Sequence, residues 1–343
     1  MRRRDISRAL LASATGAALL PPQAQAQSCT LPCYPQTTAE KNLTPPVTPS
    51  NTAYPADPYV DPRRYGADPT GATVSTAAVQ TALNVAMATN GCVWIGNGCN
   101  FLCGALSIVF GGNQFANGLR IMGSAVNGSR LTVSGTPTAL LTISNSGTPP
   151  VGFPLVLENF SIVGASVGAI ATIGLQLNGL AGFLIRRMVF QGVAYGIQSL
   201  SCLTYTIEDC IFANNSATGS STAIYIRGSA VQANMARISR CTLSGWAVWA
   251  IDFDQGAELH VQDNDIESNG TSGNPATGAI HIGGNLGPGV GFAKIWLENN
   301  WLEGNHGWSI LCDAQSGGSA ASYSIRGGWA ISNLDGGDRR AHV

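Results

Sequence analysis

The sequence predicts an all-β solenoid, and three observations carry that prediction. A seven-residue motif recurs seven times: Leu157–Val163, Ile185–Gln191, Ile207–Ala213, Ile238–Ser244, Val261–Glu267, Leu297–Glu303 and Ile325–Ile331. Its first residues are 28, 22, 31, 23, 36 and 28 positions apart. A fixed motif with variable spacers is the mark of stacked coils, whose loops change length while the core does not. Between the copies runs a second apolar line, Leu175, Ile197, Ile224, Ile251, Ile280 and Ile310, so each coil holds at least two strands. Composition agrees: of 343 residues 42 are glycine and 11% are charged, which suits strands and turns and leaves few amphipathic helical stretches.

Taken in order, residues 1–26 read as an export signal. Arg2, Arg3, Arg4 and Arg8 form a basic head, Ala9–Leu20 a short apolar stretch, and Ala24-Gln25-Ala26 a cleavage site. The Arg3-Arg4-Asp5-Ile6 run is similar to a twin-arginine signal, with a Sec signal as the alternative. Either would deliver the mature protein to the periplasm or the medium. No later stretch is long and apolar enough to span a membrane. Losing residues 1–26, with four Arg and one Asp, moves the formal charge from −1 to −4, which argues against a nucleic-acid partner. Residues 27–57 are rich in Pro, Thr, Ser and Asn and read as an extended or disordered linker. Tyr59–Asp68 brings a strand and a turn. A short N-terminal helix follows from Thr76 to about Ala88, with Val79, Leu83 and Ala86–Met87 as its apolar side, Thr76 or Ser75 as its cap and Gly91 as its stop. Cys92–Gly96 opens a strand, a turn and a second strand follow, and residues 108–150 read as the first, less regular coils. Residues 336–343 form a tail.

The run Arg64-Tyr-Gly-Ala-Asp-Pro-Thr-Gly71, then Ser75-Thr76-Ala-Ala-Val-Gln80 and the strand-turn-strand Gly91–Leu106, resembles the start of the pectate-lyase-like superfamily of the "Pectate lyase 3" type. Val74 stands where that family usually carries an acidic residue. The resemblance covers roughly residues 58–335 and implies a right-handed parallel β-helix, a single-stranded solenoid, with the short helix at its N-terminal cap. The family includes exported polysaccharide lyases, glycoside hydrolases and phage spikes, so the resemblance specifies fold better than reaction.

Within each motif copy the fourth and sixth residues face the core, and strand alternation sends the fifth and seventh outward. Early copies place Ser161/Val163, Val189/Gln191, Ile211/Ala213 and Thr242/Ser244 there; later ones place Asp265/Glu267 and Trp301/Glu303, with Trp329 next. Glu267 and Glu303 thus share one position on adjacent coils, about 4.8 Å apart along the sheet. Two carboxylates so close repel, which makes one of them hold its proton more tightly. An acid beside a carboxylate is the equipment of glycosidic cleavage, and Trp301 and Trp329 offer ring faces to a sugar.

A second outward line follows the other apolar positions: Gln176, Gln198, Tyr225, Asp252, His281 and Leu311, with Asn178, Leu200, Arg227, Asp254, Gly283 and Asp313 two residues on. Here Asp252 neighbours Tyr225 and His281, and Asp254 neighbours Arg227. An Asp–His pair tunes a general acid or base; cross-strand pairing alone is the other reading. The polygalacturonase-type signatures Gly-His-Gly and Arg-Ile-Lys are absent from the sequence. Asn215, Asn269, Asn305 and Asn333 share the motif's ninth place and read as a structural amide ladder. Cys210 and Cys241 share an inward place as a bridge or as stacked thiols; nine cysteines leave at least one unpaired in a monomer.

The catalytic candidates are therefore Glu303, Glu267, Asp252, Asp254, Asp265 and His281; the substrate-binding candidates are Trp301, Trp329, Tyr225 and Arg227. The leading expectation is hydrolysis of a polysaccharide. The alternatives are β-elimination on a uronate polymer, with Lys294, Arg227, Arg237 or Arg240 as the neutralising cation, and a non-catalytic glycan-binding or cell-surface scaffold. No cofactor or transition metal is expected; calcium enters only with a lyase, on Asp252, Asp254 and Asp263. The expected state is a monomer or a trimer.

Overall fold

Every motif copy turns a corner at its third residue. Asn159, Arg187, Asp209, Arg240, Asp263, Asn299 and Gly327 have φ of 63°, 50°, 54°, 53°, 56°, 54° and 57°, the left-handed region that Asn, Asp and Gly tolerate best. The motif is therefore two strand ends joined by a bend. Its first two residues close a strand of one sheet, and its last three form a strand of the next. The structure, a computed structural model, describes residues 34–331 apart from 35, 56–57, 90, 112–117, 147–150, 153–154, 165–171, 215–218, 229–232, 284–292 and 314–320. Residues 1–26, expected as an export signal, and residues 336–343, expected as a tail, lie outside the described residues.

Each coil carries three strands where two were the minimum expected. The first sheet includes Leu203–Glu208, Asn234–Ser239, Glu258–Gln262, Ala293–Glu298 and Ala321–Arg326. The second includes Val189–Gln191, Ile211–Ala213, Thr242–Ser244, Asp265–Glu267, Trp301–Glu303 and Trp329–Ile331. The third includes Tyr195–Leu200, Thr222–Arg227, Trp249–Gln255, Gly278–Gly283 and Trp308–Asp313. Neighbours within each sheet are parallel and follow chain order coil by coil. The described strands of the early coils, expected to be less regular, pair as regularly as those of the later ones. Leu106–Phe110 pairs with Ala139–Asn145, and Cys99–Cys103 with Ser129–Val133, in unbroken parallel register.

The core is a set of stacked ladders inside the coil. At the sixth motif place Ile162, Phe190, Phe212, Leu243 and Ile266 are each 0% exposed, and Phe190 and Phe212 stack at 4.9 Å and 6°. Burying one such side chain contributes about 1.5–3 kcal/mol. At the fourth place Cys210 and Cys241 lie stacked as buried thiols; burial, then the neighbouring Cys241, pushes the Cys210 thiol up. The same ladder continues as buried Asn264 and Asn300. Asn264 Nδ2 donates to Asn300 Oδ1 at 2.9 Å, and Asn300 Nδ2 to the Val261 carbonyl at 2.9 Å. Asn269 and Asn305 repeat the pattern at the ninth place, with Asn269 Nδ2 donating to Asn305 Oδ1 at 3.0 Å; Asn215 and Asn333 are outside the described residues. One outward place turns out to be covered: Ser161 is 2% exposed and donates to the Val126 carbonyl from the turn above it.

Helix Thr76–Thr89 plugs the N-terminal end, burying Ala78, Val79, Ala82, Leu83, Val85 and Ala86. Its expected caps are used elsewhere. The Ser75 hydroxyl accepts from the Asp68 N–H at 2.9 Å, and Thr76 Oγ1 accepts from the Gly104 N–H at 2.7 Å. The described part of the linker segment is packed rather than extended. It holds a helical turn, Thr38–Asn42, with a capping box between Thr37 and Glu40. Glu40 and Arg64 are both 0% exposed and paired at 2.7 Å. Arg64 also donates to the carbonyls of Tyr34 and Tyr54 at 3.0 and 2.8 Å, and the Tyr65 hydroxyl to Glu40 at 2.9 Å. The Arg64-Tyr-Gly run thus ties residues 34–54 onto the end of the solenoid.

Candidate active site

The second sheet brings its predicted residues together. Asp265 is in register with Trp301, Glu267 with Glu303, and Trp301 in turn with Trp329. Between them Ile266 and Leu302 point into the core, so alternation commits the flanking carboxylates to the outer face. Trp301 is 39% exposed, and its indole N–H donates to Glu303 Oε2 at 2.9 Å. Burial, then repulsion from Asp265 and Glu303, raises the Glu267 carboxyl above its usual range. Asp265 reaches solvent, yet desolvation by the surrounding protein raises it too, ahead of repulsion from Glu303. No basic residue holds an outward place on the adjoining strands Thr242–Ser244 and Trp329–Ile331. This face can therefore hold a proton on one carboxyl while a neighbour stays available as base or nucleophile.

Asp252, Asp254, His281, Tyr225 and Arg227 gather elsewhere, on the outer side of the third sheet. Tyr225, Asp252 and His281 are consecutive register partners, as expected. His281 Nδ1 lies 2.8 Å from Asp252 Oδ1. The Tyr225 hydroxyl donates to Asp254 Oδ2 at 3.1 Å, and Arg227 Nε sits 3.3 Å from the same oxygen. A bulge after Ile226 makes Gln255 the register partner of Arg227; the long guanidinium reaches Asp254 all the same. Burial, then the charge of Asp254, pushes the Tyr225 phenol up to about 12. The structure thus divides the predicted set between two faces of the solenoid, because the turn that follows the second sheet carries the chain to another side.

Two side chains of the third-sheet cluster escaped the sequence argument. The Trp249 ring stacks on His281 at 5.0 Å and 17°, and Tyr195 leans on Tyr225 at 5.7 Å. Their signal was an aromatic line, Tyr195, Trp249 and Trp308, two residues before the aligned apolar places. Gly278 falls within that line, and a Cβ there would strike the Trp308 carbonyl and the Trp249 ring. Of the cations weighed for a lyase, only Arg227 lies on this face. Lys294 and Arg237 are on the first sheet, opposite Glu258 and His260, and Arg240 is tied to Asp209 and Glu208 at 2.7 and 2.8 Å. Asp263, weighed with Asp252 and Asp254 for calcium, forms the corner between first and second sheets, away from them. Among the described residues no three of His, Cys, Asp or Glu are grouped as metal ligands.

Residues 173–326 match the family model described as "Right handed beta helix region". The fold of the chain is a right-handed parallel β-helix. Solved structures share the fold. The tailspike protein of Acinetobacter baumannii phage AM24 aligns with TM-score 0.57 at 15% identity, over 80% of this chain and 45% of that one. The gp42 tailspike of Acinetobacter phage vb_AbaP_AS12 gives 0.52 at 15%, over 80% and 46%. The chain thus spans about half the length of these two tailspikes. No curated protein sequence matches it. The right-handed parallel β-helix that the Arg64–Leu106 resemblance implied is the fold of this protein.

Proposed function

We propose that this β-helix protein hydrolyses a polysaccharide at the second-sheet carboxylates. One observation carries the proposal: Glu267 and Glu303 are register partners with the exposed Trp301 ring beside them; in support, Glu267 holds its proton above the usual carboxylate range. Glu267 would give its proton to the glycosidic oxygen as the bond to the anomeric carbon breaks. Glu303, oriented by the Trp301 N–H, would attack that carbon and form a glycosyl ester. Water then cleaves the ester as Glu267 takes a proton back. Neighbouring parallel strands, about 4.8 Å apart, fit the short carboxylate separation of a retaining enzyme, about 5–5.5 Å. Asp265 as the working partner would instead predict inversion. Export is what residues 1–26 predict, and among the described residues no helix is long and apolar enough to cross a membrane.

A second reading rests on the third sheet. The Asp252–His281 pair could take the proton beside a uronate carboxylate, with Arg227 neutralising that carboxylate, which would make the protein a β-eliminating lyase. One experiment separates these readings from a binding scaffold. The mature protein is incubated with neutral and uronate polysaccharides while reducing ends and ultraviolet absorbance are followed. New reducing ends without an absorbing product support hydrolysis. Both signals together support elimination. Retention in an affinity gel with neither signal supports a scaffold.

A further inference from the structure

On the outer side of the first sheet, His260, Trp296 and Ser324 are successive register partners. His260 and Trp296 stack at 4.1 Å and 18°. Glu258 Oε1 holds His260 Nε2 at 2.9 Å, so a carboxylate two residues away fixes the imidazole against one face of the indole. The third place in this line drops from a ring to the short hydroxyl side chain of Ser324, which is too small to cover the other face of Trp296. Lys294 and Arg326, both exposed, stand on either side of that step, Lys294 beside Ser322 and Arg326 beside Glu298.

We propose that Trp296 and Ser324 form a second glycan-binding site, in which a pyranose ring continues the His260–Trp296 stack. The stack sets the geometry. Ring planes already lie across the sheet at strand spacing, so a sugar seated over Ser324 meets the indole with its apolar C–H face. The chemistry around the step is that of a sugar's rim: the Ser324 and Ser322 hydroxyls, the Lys294 ammonium and the Arg326 guanidinium are donors for hydroxyl or carboxylate oxygens. Packing of His260 on Trp296 alone accounts for one indole face; it leaves unexplained why the next place carries serine between two exposed cations. This site shares no residue with the carboxylate face and would hold polymer while cleavage occurs around the corner at Asp263 and Asn299. It rests on the polysaccharide reading above.

The test uses the full mature protein in a Glu303→Gln background, so that the polymer survives, and measures retardation in affinity gels cast with a neutral glucan or a polyuronate. Trp296→Ala removes the ring, and Ser324→Phe covers its second face without removing anything. Each is expected to weaken retention at least about threefold, the loss expected for one ring contact, with unchanged unfolding temperature for Ser324→Phe. The polymer that retains the parent identifies the sugar as neutral or uronic. Unchanged retention in both variants, loss only in Trp301→Ala, or a parent retained by neither polymer would each overturn the proposal. Failure of the hydrolytic reading shows separately, as cleavage persisting in Glu303→Gln.

Discussion

Glu267 and Glu303 face each other across adjacent parallel strands, and Glu303 takes a 2.9 Å hydrogen bond from Trp301. The pair exists because two coils in strict register repeat one motif position. Removing either carboxylate therefore removes the pair. Glu267→Gln and Glu303→Gln are each expected to lower the rate of reducing-end release by about 10²–10⁴-fold while leaving the far-ultraviolet circular dichroism of the parent.

The same crowding has a cost in stability, and its sign can be worked out. Asp265 and Glu267 have folded pKa values raised above the ordinary 3.8 and 4.5. A raised carboxyl contributes stability that is fully present below its unfolded pKa and lost as pH rises through the folded one. Asp265→Asn combined with Glu267→Gln should therefore raise the unfolding temperature at pH 7 and change it little at pH 3. A variant less stable at pH 7 than the parent would contradict the strain assigned to this face.

How much of this was legible in the sequence depends on what each residue reports. Parallel pairing without slips places equal motif positions side by side, so Glu267 with Glu303 and Asp252 with His281 followed from spacing alone. The three-sheet coil did not, because Asn159, Asp209 and Asp263 at the corners look like ordinary polar residues, and only backbone conformation marks them as bends. The separation of the two candidate clusters was hidden for the same reason: a bend in space leaves no change in period. The bulge before Arg227 has no signature in its neighbours. Residues 34–54 misled by composition, although Thr37-Thr-Ala-Glu40 is a capping-box sequence and announced a helical turn.

That turn predicts the most damaging substitution away from the site. Glu40 and Arg64 are both fully buried, so Glu40→Leu leaves a guanidinium in the core with its main partner gone. Breaking a buried pair costs about 3–5 kcal/mol. A denaturant midpoint within error of the parent would show that residues 34–54 contribute nothing to the fold.

The left-handed places after the second sheet give a paired test. Gly192 has φ 66° and only ordinary contacts around a Cβ built on it, whereas Ser268 adopts φ 59° with a side chain. Gly192→Ala should cost about 1 kcal/mol and Ser268→Gly should cost nothing or stabilise, as read from equilibrium unfolding.

The amide ladder predicts a further stability effect. Asn305 Oδ1 accepts from both the backbone N–H and the side-chain amide of Asn269 at 3.0 Å. Asn305→Ala takes the acceptor from the buried Asn269 backbone N–H, while the Asn269 side-chain amide keeps the Leu243 and Glu267 carbonyls, and should cost about 1–3 kcal/mol. Asn305→Asp restores the acceptor and should recover part of that loss at neutral pH.

The measurement that bears most directly on the central claim is reducing-end release from a panel of polysaccharides by the parent, Glu303→Gln and His281→Ala. Carboxylate hydrolysis on the second sheet predicts reducing ends without an ultraviolet-absorbing product, at least 100-fold slower in Glu303→Gln and retained in His281→Ala. Activity that survives Glu303→Gln, disappears in His281→Ala and yields an absorbing product would contradict it and place the chemistry on the third sheet.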